Sequence, residues 1–452
     1  MIDIPSLLHT AGISLGEMQQ TMWETARRKD GPHHLLLLSP TGSGKTLAYL
    51  LPMLELIRTD IPAVQAIVVL PTRELALQGE EMLRRLKTNV KSCCLYGGRP
   101  TMEEHRRLNE IRPQIIFATP GRLGDHLDKD NFNAFGVRIV VIDEYDKCLE
   151  MGFREEVMHI VHTLNRVERI WLTSATATEE ADPLLEEIGR KGQRFERLDY
   201  LNHEASETGQ RVEVMQVNSP ERDKLDTLGR LLSHLSGAPA IVFVSHRESA
   251  NRIGDYLRDK RFAMQVYHGG MEQDKRERAL LKFRNGSANV LVATDIAARG
   301  LDIPEVQAII HYHLPMDAAS YTHRIGRATR WEGTGSTYII IGPQETMPEF
   351  LASEEIKPLN VDTQPISPTP AQMATLYIGR GKKEKLSKMD IVGFLCKKGG
   401  LRGADLGRID VADHYAIAAV RRDKIKSVVQ RVAGEKIKGM KTIYIISCPQ
   451  HT

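Results

Sequence analysis

Short apolar runs alternate with amphipathic stretches along most of the chain. In the first half the apolar runs occupy residues 35–38, 66–70, 115–119, 138–142 and 169–173. Stretches such as 47–58 and 74–87 repeat apolar residues at helical spacing. Runs that are apolar almost throughout favour strands covered on both faces of a sheet. The alternation therefore predicts a doubly wound parallel sheet with helices on both sides.

The pattern lapses into the polar stretch 202–210 and then resumes. The second set of apolar runs occupies residues 240–245, 264–267, 289–294, 308–313 and 336–342. A second lapse, at 362–372, contains three prolines and predicts an extended linker. A chain of 452 residues is too long for one compact core. We predict three domains, at residues 1–201, 211–360 and 373–452.

The last domain has its own order of elements. The pattern predicts a strand at 375–379, a helix at 388–398, two strands flanking 411–414, a helix at 423–432 and a strand at 442–446. This β-α-β-β-α-β order is typical of small ferredoxin-like or RNA-recognition folds. The predicted fold class is thus α/β, with two doubly wound parallel-sheet domains and a small α+β domain of RRM type at the C-terminal end.

Composition restricts the functional classes. The chain is 41% hydrophobic and 26% charged, with a mean hydropathy of −0.30, which excludes a disordered chain, a collagen-like fibre and a membrane bundle. Five cysteines without a C-x-x-C pair argue against a disulfide framework or a zinc knuckle. The N-terminus lacks the pattern of a secretory signal. We expect a cytoplasmic protein without a membrane partner.

Charge is distributed unevenly along the chain. Residues 373–448 contain 17 Lys and Arg against 7 Asp and Glu, whereas the rest of the chain carries a net charge of −7. A basic domain joined to a mildly acidic body favours a polyanionic partner, and nucleic acid in particular. A solvated charged surface is the alternative on charge alone.

A phosphate-binding pattern lies between the first predicted strand and the helix that follows. The sequence from Ser39 to Thr46 is SPTGSGKT. Glycines in such a loop let the backbone approach phosphates, and amide groups at the helix start point at them. Lysine would contact the β- and γ-phosphates, and the hydroxyl of Thr46 would bind Mg²⁺. The predicted nucleotide contacts are Thr41, Gly42, Ser43, Gly44, Lys45 and Thr46.

Two adjacent carboxylates follow the strand at 138–142. Ligands of an open parallel sheet bind beyond the carboxyl ends of its strands, which is also the edge of Lys45. Asp143 is suited to hold Mg²⁺, partly through water, and Glu144 to orient and deprotonate the attacking water. Alone this pair would favour ordinary surface carboxylates, but its position beside the phosphate loop indicates a nucleotide hydrolase.

Three other predicted strands end in loops of one chemical type. PTREL (71–75), TPGR (119–122) and SAT (174–176) combine hydroxyl residues, glycine and arginine at helix starts. Such groups can bind the phosphates of a long polyanion. Each one alone is more often a helix cap, yet their occurrence together favours phosphate binding.

In order along the chain, SPTGSGKT, PTRELA, Gly97-Gly98, TPGR, DEYD, SAT, VATDIAARGLD and HRIGRATR resemble the motifs of DEAD-box RNA helicases. The similarity covers about residues 10–345. The tail resembles the RNA-binding domain of the DbpA-like subgroup in TLYIGRGKKEKLSKMDIVGFL, GADLGRIDV and KIKGMK. The resemblance implies that the two large domains are RecA-like.

The resemblance also assigns nucleotide contacts. Gln19 would recognise adenine, with Gln20 left open, and Asp302 would contact the ribose. Arg327 and Arg330 would act as arginine fingers, with Arg299 supporting the phosphates. Ser174 and Thr176 would couple hydrolysis to closure, and His323 would contact the end of the DEYD segment.

RNA contacts follow from the same resemblance. In the RecA-like domains they are Thr72, Arg73, Gly98, Thr119, Gly121, Arg122, Arg276 and Thr294. In the tail we expect them on basic loops, at Arg380, Lys382, Lys383, Lys385, Lys388, Lys436, Lys438 and Lys441. Tyr377 and Tyr415 could stack bases, but packing within the protein is an equal alternative.

The resemblance implies an RNA-dependent ATPase that uses ATP and Mg²⁺, releases ADP and phosphate, and unwinds short RNA duplexes locally. The expected target is structured large-subunit ribosomal RNA or a pre-ribosomal particle, and the expected state is a monomer. An RNA clamp or annealing chaperone and a DNA helicase remain alternatives. Four features depart from the family pattern: Tyr145 replaces alanine, Thr329 replaces glycine, His313 stands where aspartate is common, and the aromatic residue expected upstream of the adenine-recognising glutamine is absent.

Overall fold

The computed structural model has two compact units. It describes residues 2–28, 33–40, 42–98, 101–176, 181–188, 195–201, 213–295, 306–326, 335–352 and 355–447. The first unit contains the described residues up to 201, and the second contains those from 213 onward.

The first unit is built on a seven-stranded sheet. Its strands are β1 His34–Leu38, β2 Ala66–Val69, β3 Ser92–Leu95, β4 Ile115–Ala118, β5 Ile139–Ile142, β6 Arg169–Ser174 and β7 Phe195–Asp199. They lie in the order β3-β4-β2-β5-β6-β1-β7, and every neighbouring pair is parallel. The described helices are α1 Ile4–Ala11, α2 Glu17–Ala26, α3 Lys45–Leu56, α4 Arg73–Arg85, α5 Thr101–Ile111, α6 Pro120–Asp128, α7 Tyr145–Glu150, α8 Arg154–Thr163 and α9 Ala181–Ile188.

The run of leucines in β1 shows why the apolar strands are continuous. Leu35 and Leu37 belong to the core on one face of the sheet, and Leu36 and Leu38 belong to the core on the other. Successive side chains of a strand point to opposite faces, so helices on both sides require apolar residues at every position. The predicted doubly wound sheet is confirmed.

The second unit contains a similar parallel sheet. Its strands are β8 Glu213–Asn218, β9 Ala240–Val244, β10 Met264–Tyr267, β11 Val290–Thr294, β12 Ala308–His311, β13 Ser336–Ile341 and β14 Ile356–Pro358, in the order β10-β11-β9-β12-β13-β8-β14. The described helices are α10 Leu225–His234, α11 Arg247–Asp259, α12 Gln273–Arg284 and α13 Ala318–Ile325.

The C-terminal module is a four-stranded antiparallel sheet with two helices. It consists of β15 Met373–Ile378, α14 Lys388–Lys397, β16 Leu406–Val411, β17 Ala416–Arg421, α15 Ile425–Val432 and β20 Tyr444–Ser447, with the hairpin β18 Lys436–Ile437 and β19 Met440–Lys441 before β20. The strand order is β16-β17-β15-β20. The predicted order of elements is confirmed, and the short hairpin is an addition to it.

The segment before the module is extended, as predicted, but it is packed against the second parallel-sheet domain. Val361 is buried in that domain's core. The backbone N–H of Ser367 donates to Ser233 Oγ at 2.9 Å, and Asn289 Nδ2 donates to the carbonyl of Thr369 at 3.3 Å. These contacts hold the segment in place rather than leaving it as a free linker.

The same contacts continue onto the open face of the module's sheet. Thr375 is fully buried there, although it points away from the two module helices. Its hydroxyl accepts from Asn285 Nδ2 at 3.1 Å and donates to Ser287 Oγ at 2.7 Å. Ala419, opposite Thr375 in the sheet, is also fully buried. The segment 285–287 therefore covers part of this face.

The described helices are short. The longest, α4 and α11, have 13 residues each, whereas an α-helix needs about 20 apolar residues to cross a bilayer. Within the described ranges, no helix has both the length and the apolar character of a membrane span.

Candidate nucleotide and RNA sites

The predicted site residues of the first unit lie at one edge of its sheet, where the parallel strands end. Asp143 directly follows β5, Ser174 ends β6, and Lys45 starts α3 after the loop that follows β1. The loops after β2 and β4 carry Thr72 and Thr119, and Gly97 and Gly98 follow β3. Because the sheet order is β3-β4-β2-β5-β6-β1, the predicted nucleotide contacts occupy one half of the edge and the predicted RNA contacts occupy the other, which we call the RNA half.

The phosphate loop has the backbone that the sequence requires. Gly42 and Gly44 adopt φ values of 83° and 89°, which side chains other than glycine rarely tolerate. Helix α3 starts at Lys45, whose Nζ donates to the carbonyls of Ser39 at 2.6 Å and Pro40 at 2.9 Å. The lysine ammonium is therefore held inside the loop. Thr41 lies outside the described residues.

Gln19 lies directly against this loop. Its Nε2 donates to the carbonyl of Ser43 at 3.2 Å, and its Oε1 accepts from the N–H of Gly16 at 2.7 Å. A Cβ atom at Gly44 would collide with Gln19 Nε2. Gln20 instead donates to Glu24 on the exposed side of α2. Of the two glutamines that the sequence left open, Gln19 contacts the loop.

Asp143 is a buried carboxylate with both oxygens in use. Oδ1 accepts from the hydroxyl of Thr173 and from the N–H of Glu144 at 3.1 Å, and Oδ2 accepts from the hydroxyl of Tyr49 at 3.1 Å. Burial raises the pKa of Asp143, and the hydrogen bond from Thr173 and the charge of Lys45 oppose this rise. Thr173 and Tyr49 fix the carboxylate in one orientation.

Thr46 and Asp143 are both neighbours of Tyr49, which lies one turn after Thr46 on α3 and donates to Asp143 Oδ2 at 3.1 Å. Burial raises the pKa of Tyr49 well above its usual value, and the charge of Asp143 adds to the rise, while a hydrogen bond with Thr46 opposes it. A hydroxyl and a carboxylate that share one phenol form an all-oxygen donor set, which is the kind that Mg²⁺ prefers. The residues present fit this cation.

Glu144 has an unusual backbone. Its φ of 49° and ψ of 51° lie in the left-handed region, which costs a non-glycine residue about 1–3 kcal/mol. The N–H of Glu144 donates to Asp143 Oδ1, and α7 starts at the next residue. Strain of this kind persists where the surroundings fix it, and such positions cluster at functional sites.

The SAT segment contacts the DEYD segment. The hydroxyl of Thr176 donates to Asp146 Oδ2 at 2.7 Å, and the hydroxyl of Ser174 donates to the carbonyl of Thr176 at 2.6 Å. This chain of bonds joins the end of β6 to α7. A movement of the SAT segment can therefore be transmitted directly to the DEYD segment.

The RNA half of the edge contains two kinds of loop start. Thr72 caps α4, since its hydroxyl accepts from the N–H of Leu75, whereas Thr119 precedes α6 without a side-chain capping bond. Arg73 lies over Gly98, where a Cβ atom would stand 2.5 Å from Arg73 Nη1. Gly121 has open space around its Cα. Arg122 is bonded inward to Glu104.

Four predicted residues, namely Arg299, Asp302, Arg327 and Arg330, lie outside the described ranges. Thr294 ends β11, and His323 lies on α13. Arg276 Nη2 donates to the hydroxyl of Tyr267 at 3.2 Å, and the guanidinium lies over the ring. The predicted contact of His323 with the DEYD segment stays a prediction.

Sequence reasoning missed a buried network beside His323. Arg324 is 2% exposed and binds both oxygens of Asp295, at 2.6 and 2.7 Å. Its Nη1 also donates to His311 Nδ1 at 3.0 Å and to the carbonyl of His313 at 2.7 Å. Burial and the charge of Arg324 lower the pKa of His311 well below its usual value. The arginine therefore needs a neutral histidine as its acceptor.

Two of the departures from the family pattern have clear environments. Tyr145 is 1% exposed, and its ring belongs to the hydrophobic core on one face of the sheet. His313 Nδ1 accepts from the N–H of Ser245 at 3.0 Å, and burial lowers the pKa of His313 to about 4. Thr329 lies outside the described residues.

The predicted lysines of the module lie on neighbouring loops. Lys382, Lys383 and Lys385 are exposed in the loop after β15. Arg380 donates to the carbonyl of Lys441 at 3.3 Å, and Lys438 Nζ donates to the carbonyl of Lys385 at 2.8 Å. The β18–β19 hairpin and this loop together form one basic surface.

The two module tyrosines pack against each other. The rings of Tyr377 and Tyr415 are stacked with centroids 5.5 Å apart. Burial raises the pKa of Tyr415 to about 12, and Glu277 of α12 adds to the rise. Of the two interpretations that the sequence left open, the structure favours packing within the protein.

Comparison with known proteins agrees with this geometry. The family model "DEAD/DEAH box helicase" matches residues 17–184, "Helicase conserved C-terminal domain" matches 223–332, and "DbpA RNA binding domain" matches 375–443. The ATP-dependent RNA helicase DbpA of Escherichia coli (strain K12) is 35% identical over 407 residues, which are 88% of each chain. The chain belongs to the DEAD-box RNA helicases.

Solved structures support the fold. The DEAD-box helicase Mss116 bound to single-stranded RNA and UDP-BeF is 27% identical with a TM-score of 0.67, and the match covers 80% of each chain. Dbp5 of S. cerevisiae bound to RNA and ADP BeF3 has a TM-score of 0.68 at 23% identity, over 79% of this chain and 93% of that one, and supports the fold alone. The predicted RecA-like fold and the helicase family are confirmed.

This DEAD-box helicase, of DbpA type, is an RNA-dependent ATPase. The structure adds contacts that no motif indicated. Thr173 and Tyr49 hold Asp143, and Asp295 holds Arg324. A polar residue inside an apolar strand, as at Thr173, was the one available signal for the first of these contacts.

We predict that Thr173→Val lowers the kcat for RNA-stimulated ATP hydrolysis about ten-fold and raises the Mg²⁺ concentration at half-maximal activity, because valine keeps the shape but cannot donate to Asp143. Steady-state phosphate release at several Mg²⁺ concentrations measures both. Thr25→Val is the matched control, since Thr25 is also buried, on α2, and its hydroxyl has no hydrogen-bond partner among the described residues. Equal kinetics of the two variants would contradict the prediction.

We also predict that the second unit loses stability as the pH falls from about 6.5 towards 4. The folded state keeps His313 neutral down to a pKa of about 4, whereas the unfolded chain takes up the proton near 6.5. Solvent screening limits the expected loss to about 2 kcal/mol. His313→Asn keeps an acceptor for Ser245 but cannot titrate, so urea unfolding at a series of pH values should show a shallower decline. Parallel curves for the two proteins would oppose this assignment.

Proposed function

We propose that this helicase opens short duplexes in structured large-subunit ribosomal RNA during ribosome assembly. The observation that carries the proposal is the basic surface of the module, formed by the loop after β15 and the β18–β19 hairpin. This surface belongs to a domain that matches the DbpA RNA-binding model. A helicase core with its own basic RNA-binding module is suited to one structured target rather than to RNA in general.

The core would grip the RNA backbone at the β3-β4-β2 half of its sheet edge. The amide groups at the starts of α4 and α6 would bind backbone phosphates, since helix N-termini attract anions. Arg73 lies beside Gly98 in the same region. In the second unit, Arg276 and Thr294 would continue the contacts. Phosphate contacts of this kind give affinity without base specificity, which leaves target choice to the module.

For hydrolysis we propose that Lys45 leaves the carbonyls of Ser39 and Pro40 and binds the β- and γ-phosphates of ATP. Thr46 and Asp143 would hold Mg²⁺, which neutralises charge on the phosphates when it is bound. Glu144, whose strained backbone fixes its position at the start of α7, would orient the attacking water and take its proton. Gln19, which lies against the phosphate loop, would recognise adenine.

Two further steps rest on the family resemblance. Arg327 and Arg330 would complete the catalytic site, supported by Arg299, while Asp302 would contact the ribose. The chain of bonds from Ser174 through Thr176 to Asp146 would transmit the loss of phosphate to the loop that holds Glu144. We propose that the protein works as a monomer in the cytoplasm.

The test measures ATP hydrolysis as a function of RNA concentration for a large-subunit ribosomal RNA fragment and for an oligouridylate of equal length. We expect the ribosomal fragment to stimulate at lower concentration. Lys382→Glu with Lys385→Glu should raise its half-saturating concentration about ten-fold and lessen the salt dependence by about 1–2 in the log–log slope. Both lysines are exposed on the proposed surface.

Lys397→Glu with Lys426→Glu is the matched control, because it reverses the same charge at exposed positions on the module helices. If the half-saturating RNA concentration rises equally in both double variants, the effect is one of overall charge and not of the proposed surface. Equal stimulation by the two RNAs would contradict a ribosomal target. Stimulation by DNA, or RNA binding without strand displacement over many turnovers, would favour a DNA helicase or an RNA clamp instead.

A further inference from the structure

A second buried carboxylate lies in the RNA half of the first unit. Glu104 on α5 is 1% exposed and accepts three hydrogen bonds. Oε2 accepts from Arg122 Nε at 2.6 Å and from His126 Nε2 at 3.1 Å, and Oε1 accepts from the N–H of Tyr96 at 3.2 Å. Burial would raise the pKa of Glu104, but the bonds from His126, Tyr96 and Arg122 together lower it. The carboxylate is therefore ionised and fully engaged.

His126 is oriented by a second partner. It is fully buried on α6, and its Nδ1 lies 3.0 Å from Asn131 Nδ2. An amide nitrogen only donates, so Nδ1 is the acceptor and the ring proton is on Nε2, facing Glu104. The neutral tautomer thus links Asn131 to the carboxylate. Both ring nitrogens have a structural use.

Arg122 points into the protein. Its side chain is 11% exposed, its Nε donates to Glu104, and its Nη1 donates to the hydroxyl of Thr101 at 2.9 Å. Two of the three guanidinium nitrogens, Nε and Nη1, are thus bonded to side chains of α5. A direct grip on an RNA phosphate would have to compete with a charge-assisted bond to a buried carboxylate.

Glu104 joins the three segments that border the RNA loops. Tyr96 directly follows β3 and precedes Gly97 and Gly98. Arg122 and His126 lie on α6, which starts after Thr119. Glu104 itself lies on α5, between these two segments in sequence. Through one side chain, the loop after β3 and the loop after β4 are held at a fixed spacing.

We propose that Glu104 and His126 are positioning residues for RNA binding, and that Arg122 acts as an internal clamp rather than as a phosphate ligand. The spacing of the two loops then matches successive phosphates only while the clamp is intact. This proposal differs from the expectation, drawn from the family resemblance, that Arg122 itself contacts RNA. The inference rests on the RNA-dependent ATPase activity of the family and not on the ribosomal target.

The test uses the full chain and a single-stranded oligouridylate, so that failure of the ribosomal assignment does not affect it. Glu104→Gln offers one acceptor oxygen to three donors and turns an NH₂ group towards N–H donors. We expect the half-saturating RNA concentration in the ATPase assay to rise about ten-fold while kcat at saturating RNA changes less than two-fold. Glu110→Gln removes the same charge from an exposed position on α5 and should change neither.

Salt dependence separates the clamp from a phosphate contact. A lost phosphate contact reduces the slope of log affinity against log salt by about 0.7 on a single strand. Arg122→Gln should weaken oligouridylate binding and leave the slope unchanged. The double variant Arg122→Gln with Glu104→Gln should bind oligouridylate at least as tightly as the single variant with the lower affinity. A slope lowered by about 0.7 in Arg122→Gln, with unchanged or tighter binding in Glu104→Gln, would overturn the proposal.

His126 provides a conservative pair of variants that does not alter the carboxylate. Glutamine at this position can still donate to Glu104, whereas leucine cannot. We expect His126→Leu to raise the half-saturating RNA concentration and His126→Gln to restore most of the loss. A merely space-filling histidine would give the opposite order, or no difference, and either result would refute its positioning role.

Discussion

Parallel pairing of the strands is the constraint on which the site depends. Because the strands of each large sheet run in one direction, the loops at their carboxyl ends meet along one edge. The strand order then decides which loops are neighbours. In the first unit β2 lies beside β5, so the PTREL loop of the RNA half adjoins the DEYD loop of the nucleotide half. RNA binding and ATP hydrolysis can therefore influence each other through two adjacent loops.

Each half of this edge is organised around a buried carboxylate. Asp143 receives bonds from Thr173, Tyr49 and a backbone amide, and Glu104 receives them from Arg122, His126 and a backbone amide. A buried charge without such partners would be strongly unfavourable. Fully bonded, it fixes the elements that supply its donors. The two carboxylates are thus held in place by side chains, such as Thr173 and His126, that take no part in the reaction themselves.

Sequence patterns predicted what depends on local order. Apolar runs located β1, β2 and β4–β6, and glycine spacing located the phosphate loop, because burial and backbone conformation leave a direct trace. β3 was missed, since SCCL starts with a polar residue and two of its four residues are cysteines rather than aliphatic residues. Thr173 and Glu104 were missed for another reason. Their side-chain partners are 30 and 18–22 positions away, and only the fold brings them together.

In the C-terminal module, the open face of the sheet packs against protein, and the basic residues that could bind RNA lie elsewhere. In an RNA-recognition fold the open sheet face is where bases would stack. Here Thr375 on that face is bonded to Asn285 and Ser287, Ala419 opposite it is buried, and the rings of Tyr377 and Tyr415 stack on each other. A face that packs on protein cannot also receive a base.

The same covering fixes the module to the second parallel-sheet domain through a buried hydroxyl, so the basic loops at its rim keep a constant position relative to that domain. The excess of lysine and arginine lies on loops and hairpin rather than on the sheet, which is where a polyanion can still reach the module.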